Sequence, residues 1–140
     1  MSILNLNDIE VPADLNFLIV EDTVIFQKKM VQTLNDLGFT GNVTVAGTLE
    51  EGYKSLSEKK PDFILSDWNL PDGVGIDFLK KVRSDEKYNQ TPFVMVTTMD
   101  AIDDILDAAK IGSDDYIIKP WEEDEFSVKI STSYEKRKKL

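Results

Sequence analysis

Five short apolar runs alternate along this chain with amphipathic stretches, and this alternation constrains the fold more than any other feature. Each run is followed by polar or turn-forming residues, a pattern that is typical of strands buried inside a sheet. The alternation predicts an α/β fold in which a five-stranded parallel sheet carries helices on both faces. The expected strands cover residues 16–20, 43–46, 63–66, 93–96 and 116–118.

The stretches between the runs predict helices, because their apolar residues recur at intervals of three and four. The stretch 26–37 precedes Gly38, a residue that often ends helices. Thr48 and Glu51 match a capping box for a helix that reaches about residue 59. A short helix is expected at 76–82, another from an N-cap at Asp100 to Gly112, and the last at 122–138. The apolar face expected for the fourth helix consists of Ile102, Ile105, Leu106 and Ala109.

The length of 140 residues fits one domain with a hydrophobic core. Residues 1–14 show no sustained periodicity and contain Pro12, so we predict an extension of unassigned role before a domain at 15–140. No apolar stretch approaches the roughly 20 residues that a membrane helix needs, and the first residues lack the pattern of a signal peptide. The simplest expectation is a cytoplasmic protein without membrane insertion.

Composition excludes several kinds of chemistry. The sequence contains no cysteine and no histidine, which excludes disulfides, thiol nucleophiles and the commonest zinc ligand. Its formal net charge is −10, and ten of its 26 acidic residues lie between Asp100 and Glu125. Such a surface repels phosphate backbones, so we expect no nucleic-acid partner. The acidic segment favours either a basic protein partner or simple solubility.

Charged and hydroxyl side chains follow four of the expected strands at the ends where those strands stop. Because the carboxyl ends of parallel strands meet at one edge, which is where α/β sheets bind ligands, these residues should share a crevice. The residues are Glu21 and Asp22 after the first strand, Asp67 after the third, Thr97 after the fourth and Lys119 after the fifth.

Three clustered carboxylates either acquire a raised pKa or hold a hard cation. Oxygen ligands alone suit Mg²⁺ or Mn²⁺, and we favour Mg²⁺, which typically joins one or two carboxylates to a phosphate group. Asp67 can act as a nucleophile, because aspartate forms aspartyl-phosphates. Lys119 and the metal would neutralise charge on the transferred oxygens, and the Thr97 hydroxyl would hydrogen-bond one of them.

Four motifs occur in the order and at the spacing of one known family: FLIVED at 17–22, SDWNLP at 66–71, VMVT at 94–97 and YIIKP at 116–120. Together they resemble the receiver domain of two-component response regulators, in particular the single-domain chemotaxis regulators called CheY-like. The resemblance covers about residues 16–138. It implies the flavodoxin-like strand order 2-1-3-4-5 and a signalling switch rather than an enzyme that turns over an external substrate.

The resemblance also implies roles for individual residues. Asp67 would accept a phosphoryl group from a histidine kinase or a phosphotransfer protein, and the modified domain would change its binding to a downstream protein through its last helix-strand-helix face. Asp22 and Asp67 would bind Mg²⁺ directly, the Asn69 backbone carbonyl would be a further ligand, and Glu21 would act through water. Thr97 and Tyr116 would form the switch pair, and Lys119 would contact the phosphoryl group.

Departures from the family pattern concern the rate of dephosphorylation. Thr98 stands where receivers usually have a small residue, and Met99 stands where an acidic or amide side chain is common. With Asn69 they complete the positions expected to tune the attacking water, so we predict slower loss of the phosphoryl group than in a regulator carrying Ala and Glu at 98 and 99.

Other functions stay open at this stage. A metal-dependent phosphatase with an aspartyl nucleophile usually needs a second acid two positions after the first, where this chain has Asn69. A receiver-like binding module that is never phosphorylated is a further alternative. The sequence is compatible with a regulator that acts alone, with a phosphorelay intermediate, or with one domain of a larger protein.

Overall fold

A five-stranded parallel sheet forms the centre of the computed structural model, which describes residues 2–98 and 102–140. The strands of this sheet are β3 (Phe17–Val20), β4 (Val43–Ala46), β5 (Phe63–Ser66), β8 (Phe93–Thr97) and β9 (Asp115–Ile118). Two short hairpins supply the other strands: β1 (Ile3–Leu6) with β2 (Ile9–Pro12), and β6 (Asn69–Leu70) with β7 (Gly73–Val74). The helices are α1 (Val24–Leu37), α2 (Leu49–Lys59), α3 (Gly75–Arg83), α4 (Ile102–Ile111) and α5 (Glu123–Lys138).

The order of the sheet is β4-β3-β5-β8-β9, with every neighbouring pair parallel. Counted along these five strands, the order is 2-1-3-4-5, which confirms the predicted fold class. Strand β3 pairs with both β4 and β5, so the residues after β3 and β5 leave the sheet side by side. None of the described helices is long and apolar enough to cross a membrane.

Two hydrophobic clusters cover the two faces of the sheet, because successive side chains of a strand point to opposite faces. In β3, Phe17 and Ile19 join the cluster formed with α1 and α5, whereas Leu18 and Val20 join the cluster formed with α2, α3 and α4. All four side chains are buried. Burial on both faces explains why β3 is apolar at every position.

Helix α4 differs from its prediction. Ile105 and Ala108 are buried, but Leu106 is 60% exposed and Ala109 is exposed. The helix therefore buries a narrow stripe, and the expected face was partly wrong because the apolar residues of α4 are spread around more than one side. The Asp100 N-cap predicted for this helix lies outside the described residues.

Residues 3–12 form an antiparallel hairpin, where the sequence suggested an extension without regular structure. Its turn consists of Asn7 and Asp8, both with positive φ, as a tight hairpin turn requires. Leu6 and Val11 are buried in the cluster that contains α1 and α5. The Asn7 side-chain amide donates to Ser127 and Ser131 of α5, at 3.2 and 3.3 Å. The hairpin is thus packed onto the core of the five-stranded sheet and its helices, although the proposed boundary at residue 15 stays a prediction.

Candidate functional site

Backbone hydrogen bonds continue past the ends of the strands and bring the predicted site residues together. The Glu21 N–H donates to the Ala46 carbonyl at 2.8 Å, and the Asp67 N–H donates to the Val20 carbonyl at 2.9 Å. On the other side, the Lys119 N–H donates to the Thr97 carbonyl at 2.8 Å. The strand ends are fixed relative to one another before any side-chain contact is considered.

Glu21, Asp22 and Asp67 each offer an oxygen atom, and these atoms lie within 4.8 Å of one another. Glu21 and Asp67 are buried, whereas Asp22 is exposed at the mouth of the site. We call these three residues together with Lys119 the carboxylate pocket. The sequence prediction that these side chains share one edge is supported by these distances.

Lys119 lies between two of the carboxylates. Its ammonium group donates to Asp67 Oδ2 at 3.0 Å and forms an ion pair with Glu21 Oε1. The same ammonium group stands 4.7 Å from the centre of the Phe26 ring on α1, a distance at which a cation is attracted to an aromatic face. The lysine side chain is therefore nearly buried and held from three sides.

The pKa of Glu21 is raised, chiefly because burial disfavours its charged form. The Lys119 ammonium and the Thr23 N–H, which donates to Glu21 Oε2 at 3.0 Å, oppose this shift. The nearby Asp67 carboxylate adds to it. Glu21 is therefore a buried carboxylate that neighbouring donors compensate only in part.

Charge and donor chemistry make the carboxylate pocket suitable for a divalent cation. Three carboxylates against one ammonium group leave two formal negative charges. All of the available ligand atoms are oxygen, which suits a hard cation such as Mg²⁺. The exposed Asp22 gives a cation access from solvent.

Asp67 itself is held at both oxygens. Oδ1 accepts from the Trp68 N–H at 2.7 Å, and Oδ2 accepts from Lys119. Trp68, the residue that follows this carboxylate, is half-buried. Hairpin β6–β7 follows at once and carries Asn69, whose side chain is exposed. Asp67 therefore has one oxygen beside a cationic group and lies close to two other carboxylates.

Comparison with known proteins identifies the family. The family model of the response regulator receiver domain matches residues 17–131. This chain belongs to that family. The chemotaxis protein CheY of Pseudomonas aeruginosa is 34% identical to it over 122 residues, which are 87% of this chain and 98% of that protein. Chemotaxis protein CheY-3 of Vibrio cholerae is 31% identical over 126 residues, 88% and 94% of the two chains. The solved structure of chemotaxis response regulator CheY4 of Vibrio cholerae superposes with a TM-score of 0.74, at 26% identity, covering 86% of this receiver and 98% of that chain.

Of the two predicted switch residues of this receiver domain, Thr97 is the last residue of β8 and Tyr116 lies within β9. Thr97 is buried, and Tyr116 is half-buried with the Lys129 ammonium 4.4 Å from the centre of its ring. Thr98 is exposed, and Met99 lies outside the described residues. The switching and rate-tuning roles of these positions stay predictions.

Two contacts of this receiver were not foreseen from its sequence. Phe26 supplies the aromatic face under Lys119, and Asp72 reaches the start of α2. Trp121 is buried, packs against Phe126 and donates from its indole N–H to the Thr33 hydroxyl at 3.2 Å. Each of the two unforeseen contacts joins a helix to a loop or to a strand end that is distant in the sequence. No local sequence pattern therefore predicts them.

Proposed function

We propose that this receiver accepts a phosphoryl group on Asp67 and thereby changes its affinity for a protein partner. One observation carries the proposal: the Asp67 carboxylate lies within reach of the carboxylates of Glu21 and Asp22 while its Oδ2 accepts from the Lys119 ammonium at 3.0 Å. That arrangement offers a carboxylate nucleophile, a place for a cation and an ammonium group beside the nucleophile. Its similarity to the CheY proteins supports a role in chemotaxis-type signalling.

In the proposed step, an Asp67 oxygen attacks the phosphorus atom of a phosphohistidine on a histidine kinase or phosphotransfer protein. An O–P bond forms, the N–P bond breaks, and its electron pair returns to the imidazole nitrogen, which takes up a proton from solvent. The step needs no general base, because a carboxylate nucleophile has no proton to lose when it attacks. The acyl phosphate that results is the modified state of the switch.

The residues around the Asp67 nucleophile would hold the cation and neutralise negative charge on the phosphoryl group. Asp22, Asp67 and the Asn69 backbone carbonyl would hold Mg²⁺, with Glu21 acting through water. Bound Mg²⁺ would supply positive charge to the phosphoryl oxygens. Lys119 can exchange its contact with Asp67 Oδ2 for one with a phosphoryl oxygen, since its ammonium group already lies at that carboxylate. The Thr97 hydroxyl would hydrogen-bond the phosphoryl group.

The response is proposed to reach a partner through the face made of α4, β9 and α5. Thr97 and Tyr116 connect the pocket to this face, and Leu106 and Val128 expose apolar surface there. Helix α4 also carries Asp103, Asp104 and Asp107, so a partner with apolar and basic side chains fits this face.

The phosphodonor is proposed to dock at the first turn of α1. Val24 and Ile25 begin this helix directly after the pocket residues and are 58% and 71% exposed. Two exposed apolar side chains beside an acidic site suit a helix that presents a phosphohistidine. A cytoplasmic location stays a prediction.

We propose slow dephosphorylation for the phosphorylated receiver, because Thr98 adds a methyl group near the acceptor and Met99 offers no polar group to an attacking water. The double variant Thr98→Ala with Met99→Glu should lose its phosphoryl group several-fold faster, as followed by intact mass after the donor is removed. An unchanged half-life would contradict this part of the proposal.

The proposed function can be tested with acetyl phosphate, with and without Mg²⁺. We expect a mass gain of one phosphoryl group only with Mg²⁺, and borohydride reduction followed by peptide mapping should place it on Asp67. Asp67→Asn should gain none. No gain in wild type would favour a receiver-like module that works without phosphorylation, and turnover of a generic phosphate ester would favour the phosphatase alternative.

A further inference from the structure

The β6–β7 hairpin, which follows Asp67, is joined to the start of α2 by the side chain of Asp72. Asp72 Oδ1 accepts from the Leu49 N–H at 2.7 Å, and Oδ2 accepts from the Glu50 N–H at 3.0 Å. These bonds lower the pKa of Asp72. The next N–H of the helix, that of Glu51, is bonded at 3.1 Å to the Thr48 hydroxyl. Helix α2 is thus capped by its own N-cap residue and by a carboxylate from a distant loop.

Side-chain packing brings the same two elements together. Leu70 of β6 is buried in the cluster that contains α2 and α3. Gly73 has a φ of 154°, and a Cβ atom at this position would lie 2.6 Å from Cδ1 of Leu49, the first residue of α2. The hairpin therefore rests closely on the first turn of α2. A side chain at position 73 would require the end of the Leu49 side chain to shift.

The β6–β7 hairpin, which Asp72 connects to α2, begins with Asn69. Strands β6 and β7 contain two residues each, so their mutual pairing is short. A two-stranded hairpin of this size has little stability of its own. The position of the Asn69 backbone carbonyl consequently depends on contacts between the hairpin and the rest of the domain, and these contacts include the two Asp72 bonds.

We propose that Asp72 is a positioning residue of the metal site: by fixing the hairpin to α2, it holds the Asn69 carbonyl where a divalent cation in the carboxylate pocket can use it. This inference rests on the proposed function, because it assumes that the pocket binds Mg²⁺. Asp72 is exposed and acts through the backbone of the loop, so it does not touch the cation itself. It also makes the first turn of α2 part of the support for the site.

A purely structural reading assigns Asp72 to the capping of α2 alone. Thr48 offers a matched control, since Thr48→Ala removes a capping bond from the same helix end without touching the hairpin. If Asp72 acts only as a cap, Asp72→Ala and Thr48→Ala should have similar consequences. If Asp72 positions the loop, the two variants should separate in any measurement that reports on the metal site.

The test combines two measurements on wild type, Asp72→Ala, Asp72→Asn and Thr48→Ala. Amide exchange of the metal-free proteins, read by mass spectrometry, should show faster exchange across residues 68–75 in Asp72→Ala but not in Thr48→Ala. Mg²⁺ titrations followed by tryptophan fluorescence, in which Trp68 lies beside Asp67, should show about tenfold weaker binding in Asp72→Ala. Asp72→Asn keeps one acceptor oxygen and should fall between Asp72→Ala and wild type.

The outcomes separate this inference from the function on which it rests. If wild type binds Mg²⁺ and Asp72→Ala binds it equally well, the positioning role is overturned while the metal site stands. Equal weakening in Asp72→Ala and Thr48→Ala would also overturn it, in favour of helix capping. Absence of Mg²⁺ binding in wild type would overturn the proposed metal site, and the inference with it.

Discussion

Two clusters of buried charge occupy opposite ends of the sheet, and they are built differently. The carboxylate pocket lies at the carboxyl ends of the strands and has an excess of negative charge. At the amino ends, Arg83 and Arg137 enclose Asp114, whose side chain is fully buried. We call these three residues the arginine clamp. The arginine clamp has an excess of positive charge. Its charged groups nevertheless have far more hydrogen-bond partners within the protein than those of the carboxylate pocket.

Backbone carbonyls account for the difference. Arg83 donates to Asp114 at 3.2 Å and also to the carbonyls of Gly112, Tyr88 and Thr91, each at 2.9 Å. Arg137 donates to Asp114 Oδ1 at 2.9 Å and to the carbonyls of Asn89 and Gly112 at 3.2 and 3.3 Å. Burial and the second arginine lower the pKa of Arg83 to about 10, so it remains charged at neutral pH. The clamp is complete without any further ligand.

The carboxylate pocket lacks comparable compensation among the contacts described. Its carboxylates share Lys119 and receive N–H bonds from Thr23 and Trp68, which leaves negative charge that a cation can neutralise. The comparison teaches that buried charge alone does not mark a functional site. What marks it is charge that the protein itself leaves uncompensated, at an edge that solvent can reach.

Breaking the clamp should have the largest effect on stability. Asp114→Ala leaves two arginines facing each other without their carboxylate, and we expect it to lower the free energy of unfolding by about 3–5 kcal/mol in chemical denaturation. Asp115→Ala is the control, because Asp115 is only partly buried and pairs with Lys129 at 2.9 Å. Its loss should cost less than about 1 kcal/mol. Similar costs for the two variants would show that the clamp is not the tightly coupled cluster described.

Removing the positive charge of the carboxylate pocket should have an effect of intermediate size. This effect should be on Mg²⁺ binding, which should become stronger. Lys119→Met leaves Glu21 and Asp67 without their ammonium partner, so Mg²⁺ affinity should rise by about tenfold, or about 1.4 kcal/mol, in calorimetric titrations. Lys29→Met is the control, since Lys29 donates to the Trp121 carbonyl outside the pocket. Unchanged or weaker Mg²⁺ binding in Lys119→Met would mean that the lysine and the cation do not compete for the same carboxylates.

Removing one negative charge from the pocket should have the smallest effect, and it should be stabilising. In EDTA, Asp22→Asn relieves repulsion among three carboxylates and should raise the free energy of unfolding by about 0.5–1 kcal/mol. Asp36→Asn, which changes an exposed carboxylate on α1, serves as the control and should be near neutral. If Asp22→Asn destabilises the metal-free protein, the pocket is compensated in some way that its contacts do not show.

The central sheet and the location of the site were predictable from the sequence because both depend on short-range patterns. Apolar runs define the strands, and parallel pairing then places Glu21, Asp67 and Lys119 at one edge. Residues 3–12 were harder to interpret, since their two runs are short and only alternate weakly. Asn7 and Asp8 between those runs are residues that tolerate positive φ, and this was the available signal for a hairpin turn.

The supporting contacts of the site were not predictable in the same way. From the sequence, Phe26 is one apolar position of an amphipathic helix. The residues around it give no indication that Lys119, 93 positions later, lies over its ring. Asp72 reads as a turn residue, although its carboxylate caps a helix that begins 23 positions earlier. Such contacts depend on how complete elements pack, and sequence periodicity carries no information about that packing.

The proposal that the carboxylate pocket binds a divalent cation is tested most directly by measuring the free energy of unfolding as a function of Mg²⁺ concentration. Wild type should gain stability as Mg²⁺ is added, reaching about 2.7 kcal/mol at a hundred times the dissociation constant. Asp22→Asn, more stable than wild type in EDTA, should gain far less and become the less stable protein in Mg²⁺. An equal gain in stability with Mg²⁺ in the two proteins, or no gain in wild type, would contradict the proposal that the carboxylate pocket binds the cation.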